Sequence, residues 1–236
     1  MNVQPHTVKA FGEELNQLSS DVARMGGLAE ALVTDCIQAV TRRDGELAAS
    51  IIERDKQVDI MEREIEKRVI RIIALRQPMA TDLRATIAAY RISHDLERIG
   101  DLAKNIARRT HVLNESEPVV LTRGVERMGK LVVGHLHDTL NAYSSGSVEQ
   151  AMSAWRADEE VDEHYNSLFR ELLTYMMEDP RIISASAQML FVAKNLERIG
   201  DHCTNIAEKV HYLVTGEELH RVAPDTSSHP DDSQEN

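Results

Sequence analysis

Apolar residues recur along this chain at alternating steps of three and four, the spacing that places side chains on one face of an α-helix. Such stripes run over 47–72, 85–106 and 185–206. A helix of about thirty residues is about 45 Å long. The pattern therefore predicts long helices that bury their apolar stripes against one another.

Helix breakers divide this pattern into six segments. Pro78, Pro118 and Pro180 mark three junctions, and Gly45 and Gly146 mark two more. We predict helices at 8–43, 45–76, 80–113, 121–144, 148–178 and 181–213. Because short turns make neighbouring helices antiparallel, we expect an all-α fold of two tandem three-helix bundles.

The two bundles are related by an internal repeat. The six residues LERIGD at 96–101 return unchanged at 196–201, and Asn-Ile-Ala follows at the same distance each time. We therefore predict one repeat at 7–114 and a second at 118–215. The segment 216–236 is polar and acidic, and we expect a disordered tail.

Composition limits the function classes. The 236 residues carry a net charge of −12, which argues against nucleic acid as a partner. We expect no signal peptide and no membrane span, since the N-terminus lacks a basic-then-apolar segment and no apolar run approaches about 18 residues. Cys36 and Cys203 have no metal or redox spacing and fit a reducing cytoplasm.

Pairs of acids four residues apart lie beside the apolar stripes. Asp59 and Glu97 each lie 19 residues from Pro78, and Asp55 and Asp101 each lie 23 residues from it. In an antiparallel hairpin these four carboxylates meet at the same height. The second half repeats the arrangement around its own turn at nearly equal distances, with Asp158, Asp162, Glu197 and Asp201.

Clustered carboxylates repel one another, so a cation is expected to compensate them. An all-oxygen set suits Mg²⁺, Mn²⁺, Ca²⁺ or iron. Asn105 and Asn205 continue the same faces and could add an amide oxygen, while Asp35 and Asp138 are weaker candidates at similar height. A mid-helix glycine beside each acid pair, Gly100 or Gly200, indicates close approach of a ligand or a neighbouring helix. The alternative is a salt-bridged solvent face that uses Arg54, Arg63, Arg98 and Lys104.

These residues carry a family resemblance. Two three-helix halves with an acidic-x-x-x-Asp pair on two helices each, and LERIGD followed by Asn-Ile-Ala, resemble the PhoU family over about residues 7–215. The resemblance implies a regulator and not an enzyme. Such proteins are cytoplasmic and often dimeric, and reach the membrane only through the phosphate ABC importer, with its ATPase subunit, and a sensor histidine kinase.

The resemblance also implies bound iron, zinc, manganese or magnesium at the eight acids, and restraint of phosphate uptake and of the phosphate-starvation response. Two alternatives stay open. One is a carboxylate-bridged metalloenzyme, although the acid cluster has no Glu-x-x-His pair and the chain no phosphate-binding loop. The other is a metal-free helical adaptor whose acids only solvate its surface.

Overall fold

A computed structural model describes residues 5–116 and 122–219, with the side chains of 5–9 and 122 left out. The described chain forms six α-helices and a 3₁₀ turn, Pro180–Ile182. The helices are α1 (Pro5–Arg42), α2 (Gly45–Arg76), α3 (Ala80–Asn114), α4 (Thr122–Ser145), α5 (Val148–Glu178) and α6 (Ile183–Thr215). The predicted all-α fold is confirmed.

Local hydrogen bonds explain where the helices begin. Asp44 Oδ1 accepts from the Leu47 N–H across 2.9 Å, and Ser147 Oγ accepts from the Gln150 N–H across 3.2 Å. Both side chains thereby satisfy a backbone donor that the first helical turn leaves without a partner. The last helix begins two residues later than predicted, because Pro180 opens a 3₁₀ turn instead of the α-helix itself.

The helices pack as two bundles that share one interface. α1, α2 and α3 contact each other, as do α4, α5 and α6, while α1 lies against α4 and α3 against α6. The predicted stripe residues of α3 and α6, from Ile92 to Ile106 and from Val192 to Ile206, are buried in one continuous apolar core. Cys203 belongs to this core, and burial raises the pKa of its thiol well above the ordinary value.

Polar contacts also hold α3 to α6. Asp95, only 6% exposed, lies 3.0 Å from His202 Nδ1 and 2.8 Å from Lys209 Nζ. Arg109 donates to Gln188 across 2.9 Å, and its guanidinium lies 4.7 Å from the ring centre of Phe191. The interface between the two bundles therefore combines apolar packing with hydrogen bonds and the ion pair of Asp95 with Lys209.

None of the described helices is long and apolar enough to cross a membrane. The predicted tail lies outside the described residues from position 220 onward. The exact bounds of the two repeats stay predictions.

Candidate metal centre

The four acids predicted for the first half lie on facing sides of α2 and α3. Asp55 is 2% exposed, while Asp59, Glu97 and Asp101 are half-buried. Burial raises the pKa of Asp55, and the charges of Asp59 and Asp101 raise it further. Burial and the charge of Asp101 likewise raise the pKa of Glu97. The structure thus brings these acids into electrostatic contact, as the turn geometry predicts.

Gly100 makes room for the buried carboxylate. A Cβ atom at this position would lie 3.0 Å from Asp55 Oδ1 and 3.4 Å from Val58 Cγ1. Gly200 has the same role in the second half, where a Cβ would lie 3.3 Å from Asp158 Oδ1. Each glycine therefore serves helix packing and the seating of an acid at once.

A lysine already reaches the first set of acids. Lys104 Nζ donates to Asp55 Oδ2 across 2.5 Å and also donates to Asp101. Arg98 lies 3.5 Å from Glu97 and 3.9 Å from Asp101. The salt-bridged alternative therefore holds for part of this cluster.

The second set of acids has a different environment. Asp201 is exposed at its outer edge, but partial desolvation and the charges of Glu197, Asp158 and Asp162 raise its pKa. The residue that corresponds to Lys104 is Thr204, whose hydroxyl donates to the Gly200 carbonyl across 3.3 Å. A lysine instead approaches the opposite end of this set, since Lys194 Nζ lies 2.5 Å from Glu197 Oε1.

The additional candidates are not all at these clusters. Asp35 accepts from Arg54 across 2.6 Å, so this arginine compensates Asp35 on α1 and not the acids of α2. Asn105 Oδ1 accepts from Arg108 across 3.3 Å. Asn205 is half-buried, and its backbone carbonyl accepts from Lys209.

Asp138 is exposed on α4 beside a residue that sequence reasoning missed. That residue is His135, 3% exposed, which lies close enough to Asp158 and Asp138 for their charges to act on its ring. Burial outweighs those charges and lowers the pKa of His135. The second cluster therefore has an imidazole beside its buried aspartate.

Sequence reasoning also missed Glu62 and His94. Together with Glu97, these residues bring one donor atom each to within 4.8 Å of one another, and His94 Nδ1 lies 3.1 Å from Glu62 Oε1. No three of the predicted acids in the described ranges converge as closely. Two features of the sequence could have identified them. Glu62 lies on the acidic stripe of α2, and His94 lies three residues before Glu97 on α3.

The donor chemistry of both clusters fits a cation. Asp55 Oδ1, Glu97 Oε2 and Glu197 Oε2 are buried and accept no hydrogen bond. Arg98 Nε lies 3.5 Å from Glu97 Oε2, beyond a good hydrogen bond. Because a buried carboxylate oxygen that accepts no hydrogen bond is costly, a bound cation would lower the free energy of these helices. Carboxylate oxygens suit magnesium, manganese and iron.

Comparisons with known proteins all point to one family. The sequence profile of the PhoU domain matches residues 22–110 and 125–210. A protein of Caulobacter vibrioides named phosphate-specific transport system accessory protein PhoU homolog is 58% identical over 93% of this chain and 96% of its own length. A protein of the same name from Rhizobium meliloti is 49% identical over 89% of this chain and 90% of its own.

Solved structures agree with the sequence comparison. The crystal structure of PhoU from Pseudomonas aeruginosa matches with a TM-score of 0.85 and 42% identity, covering 88% of this chain and all of that one. The phosphate transport system regulatory protein PhoU from Streptococcus pneumoniae matches with a TM-score of 0.83 and 31% identity, over 89% of this chain. The chain therefore belongs to the PhoU family.

Proposed function

We propose that this chain regulates phosphate uptake and the phosphate-starvation response through contact with the phosphate ABC importer, at its ATPase subunit, and with a sensor histidine kinase. The similarity to the Caulobacter protein supports the link to a phosphate transporter, since that relative is named as an accessory protein of the phosphate-specific transport system. The name of the Streptococcus protein supports a regulatory role.

In this proposal the chain works as a homodimer in the cytoplasm, where it can meet the ATPase subunit and the kinase. It catalyses no reaction and reaches the membrane only through these partners. Capture of the ATPase subunit and of the kinase by the full chain tests the partner assignment. Failure to bind either partner at high and low phosphate would contradict it.

We further propose that each half binds a divalent or trivalent cation (Fe, Zn, Mn or Mg) between its paired acids. In the first half the acids are Asp55, Asp59, Glu97 and Asp101, with Asn105 adjacent; in the second they are Asp158, Asp162, Glu197 and Asp201, with Asn205 adjacent. One repeated observation carries this proposal: a buried aspartate seated against a helix glycine, with further acids around it.

Elemental analysis of the purified chain tests the metal assignment. The double variant Asp59→Ala with Glu97→Ala is expected to lose the metal of the first half only, and Asp162→Ala with Glu197→Ala that of the second. Glu53→Ala is a matched control, because Glu53 is an exposed acid of α2 whose partner is Lys56. Unchanged metal content in both double variants would rule out the assignment.

Lys104 and Lys194 favour a second candidate, the metal-free adaptor, because each lysine supplies an internal cation to its acids. Thermal stability that does not change on dialysis against a chelator would support the adaptor. Turnover of a phosphoester or a peroxide that the same double variants abolish would instead favour the carboxylate-bridged metalloenzyme.

A further inference from the structure

We propose that Glu62, His94 and Glu97 form a metal site in the first half that takes a transition ion such as Zn²⁺ in preference to Mg²⁺. This site differs from the all-oxygen acid clusters by its imidazole ligand. The inference rests on the proposed function at one point: Glu97 belongs both to this site and to the first acid cluster, which is proposed to bind a metal ion.

Two neighbouring helices bring the three donors together. His94 and Glu97 are three residues apart on α3, so both side chains leave the same face of the helix. Glu62 faces them from α2, with its Oε1 atom 3.1 Å from His94 Nδ1, and the three donor atoms lie within 4.8 Å of one another. Helical-bundle metal proteins also combine a histidine and a glutamate three residues apart with glutamates of facing helices, although there the glutamate comes first in the chain, and here His94 precedes Glu97.

Burial and charge at this position also favour a cation. Glu97 Oε2 is buried and accepts no hydrogen bond, and Glu62 and Asp101 place two further carboxylates near it. Arg98 Nε lies 3.5 Å from Glu97 Oε2, but its side chain is half exposed, so it compensates this carboxylate only weakly. The imidazole of His94 is 52% exposed, so an ion can enter from solvent and keep water ligands beside the three side chains.

The second half fills the same position with a lysine. The residues that correspond to Glu62, His94 and Glu97 are Tyr165, Lys194 and Glu197. Lys194 Nζ lies 2.5 Å from Glu197 Oε1 and 5.3 Å from the centre of the Tyr165 ring. The second half therefore has a lysine ammonium group at this position, whereas the first half has an imidazole and a second carboxylate.

The donor types decide which ion binds. Imidazole nitrogen suits zinc, iron, copper and nickel, whereas magnesium prefers oxygen ligands and retains its water. Two glutamates and one histidine therefore discriminate against Mg²⁺. Three protein ligands also leave a coordination position for a donor group from solvent or from a partner.

Titration of the full chain with Zn²⁺ and with Co²⁺, in excess Mg²⁺, tests the inference. The substitution His94→Lys gives the first half the lysine of the second and is expected to weaken this Zn²⁺ site about 100-fold. It is also expected to remove the visible absorption of Co²⁺ bound through nitrogen. Circular dichroism checks that the variant is folded.

His137 provides a matched control. Its Nδ1 atom lies 3.2 Å from Glu30 Oε1 and its side chain is 58% exposed, so it forms a similar histidine–glutamate pair without a third donor nearby in the described chain. His137→Lys is therefore expected to leave Zn²⁺ affinity unchanged. Conversely, Tyr165→Glu with Lys194→His is expected to add one further Zn²⁺ equivalent in the second half.

The outcomes separate this inference from the proposed function. Unchanged Zn²⁺ affinity and an unchanged Co²⁺ spectrum in His94→Lys would overturn the triad, while loss of the second-half metal in Asp162→Ala with Glu197→Ala would still support the acid clusters. A different result would support the triad and contradict the acid clusters. In that case His94→Lys loses the Zn²⁺ site, while Asp162→Ala with Glu197→Ala keeps all of the second-half metal.

Discussion

Lys104 on α3 donates a hydrogen bond across 2.5 Å to Asp55 on α2, so the first half of the chain supplies its own cation to its most buried acid. The corresponding residue of the second half is Thr204, whose hydroxyl bonds to its own helix. Two halves with nearly the same acid positions therefore differ in how the acids are compensated.

The substitution Lys104→Met is expected to destabilise the metal-free chain by about 1–3 kcal/mol, because it leaves the buried Asp55 carboxylate without its cationic partner. Adding Mn²⁺ or Mg²⁺ is expected to recover more stability in the variant than in the original chain, since the ion can occupy the vacated position. Thermal unfolding with chelator and with metal measures both effects.

Lys56→Met provides the control for that experiment, because Lys56 pairs with Glu53 on the exposed face of α2. Such surface pairs contribute at most about 1 kcal/mol. Equal destabilisation by Lys56→Met and Lys104→Met would contradict a special role of the buried pair.

Gly100→Ala is expected to lower the metal affinity of the first half about tenfold, because the new Cβ would lie 3.0 Å from Asp55 Oδ1 and displace that carboxylate. Gly134 on α4 offers a control, since a Cβ there meets nothing within 4 Å. Gly134→Ala is expected to stabilise the chain by about 1 kcal/mol through helix propensity alone. Isothermal titration and urea unfolding measure the two effects, and equal metal affinity in both variants would contradict the seating role of Gly100.

The raised pKa of Glu97 predicts that the stability of the folded chain depends on pH. Because burial raises its pKa, the folded chain holds the Glu97 proton more tightly than the unfolded chain does. This group therefore stabilises the fold at low pH and loses that contribution as the pH rises through its folded pKa. Without metal, Glu97→Gln is expected to be more stable than the original chain at pH 7, with the advantage disappearing below about pH 4.3.

Urea unfolding with chelator between pH 4 and pH 7 measures this difference. Added metal is expected to reverse it at pH 7, because the ion binds the ionised carboxylate and not the amide. A metal-free Glu97→Gln chain that is less stable than the original at pH 7 would contradict the electrostatic account.

Asp95→Ala is expected to destabilise the chain by about 1–3 kcal/mol, since it leaves His202 and Lys209 of α6 without the acid that they share. The midpoint of urea unfolding is expected to fall with an unchanged slope, which indicates a loss of stability in a folded chain. Glu53→Ala, at an exposed position of α2, is the control and is expected to change stability by less than about 0.5 kcal/mol.

Most of the features that the sequence predicted correctly depend on residues close to one another in the chain. The three-four spacing, the capping side chains and the breaker residues act within one or two turns of a helix, so the sequence predicted the six helices and their order. Counting from Pro78 also predicted that Asp55 and Asp101 would meet, because helix rise is constant and the hairpin reverses once.

Only the tertiary structure decided how these acids are compensated. Whether Lys104 reaches Asp55, and whether Arg54 turns to Asp35 on α1, depends on the crossing geometry of the helices and on side-chain rotamers. The meeting of Glu62 with His94 likewise depends on the rotation of α2 against α3. The sequence by itself determined the helices and the heights of the acids, because these follow from constant local geometry. The packed fold decided which atoms meet, because a rotation of one helix by a fraction of a turn exchanges one neighbour for another.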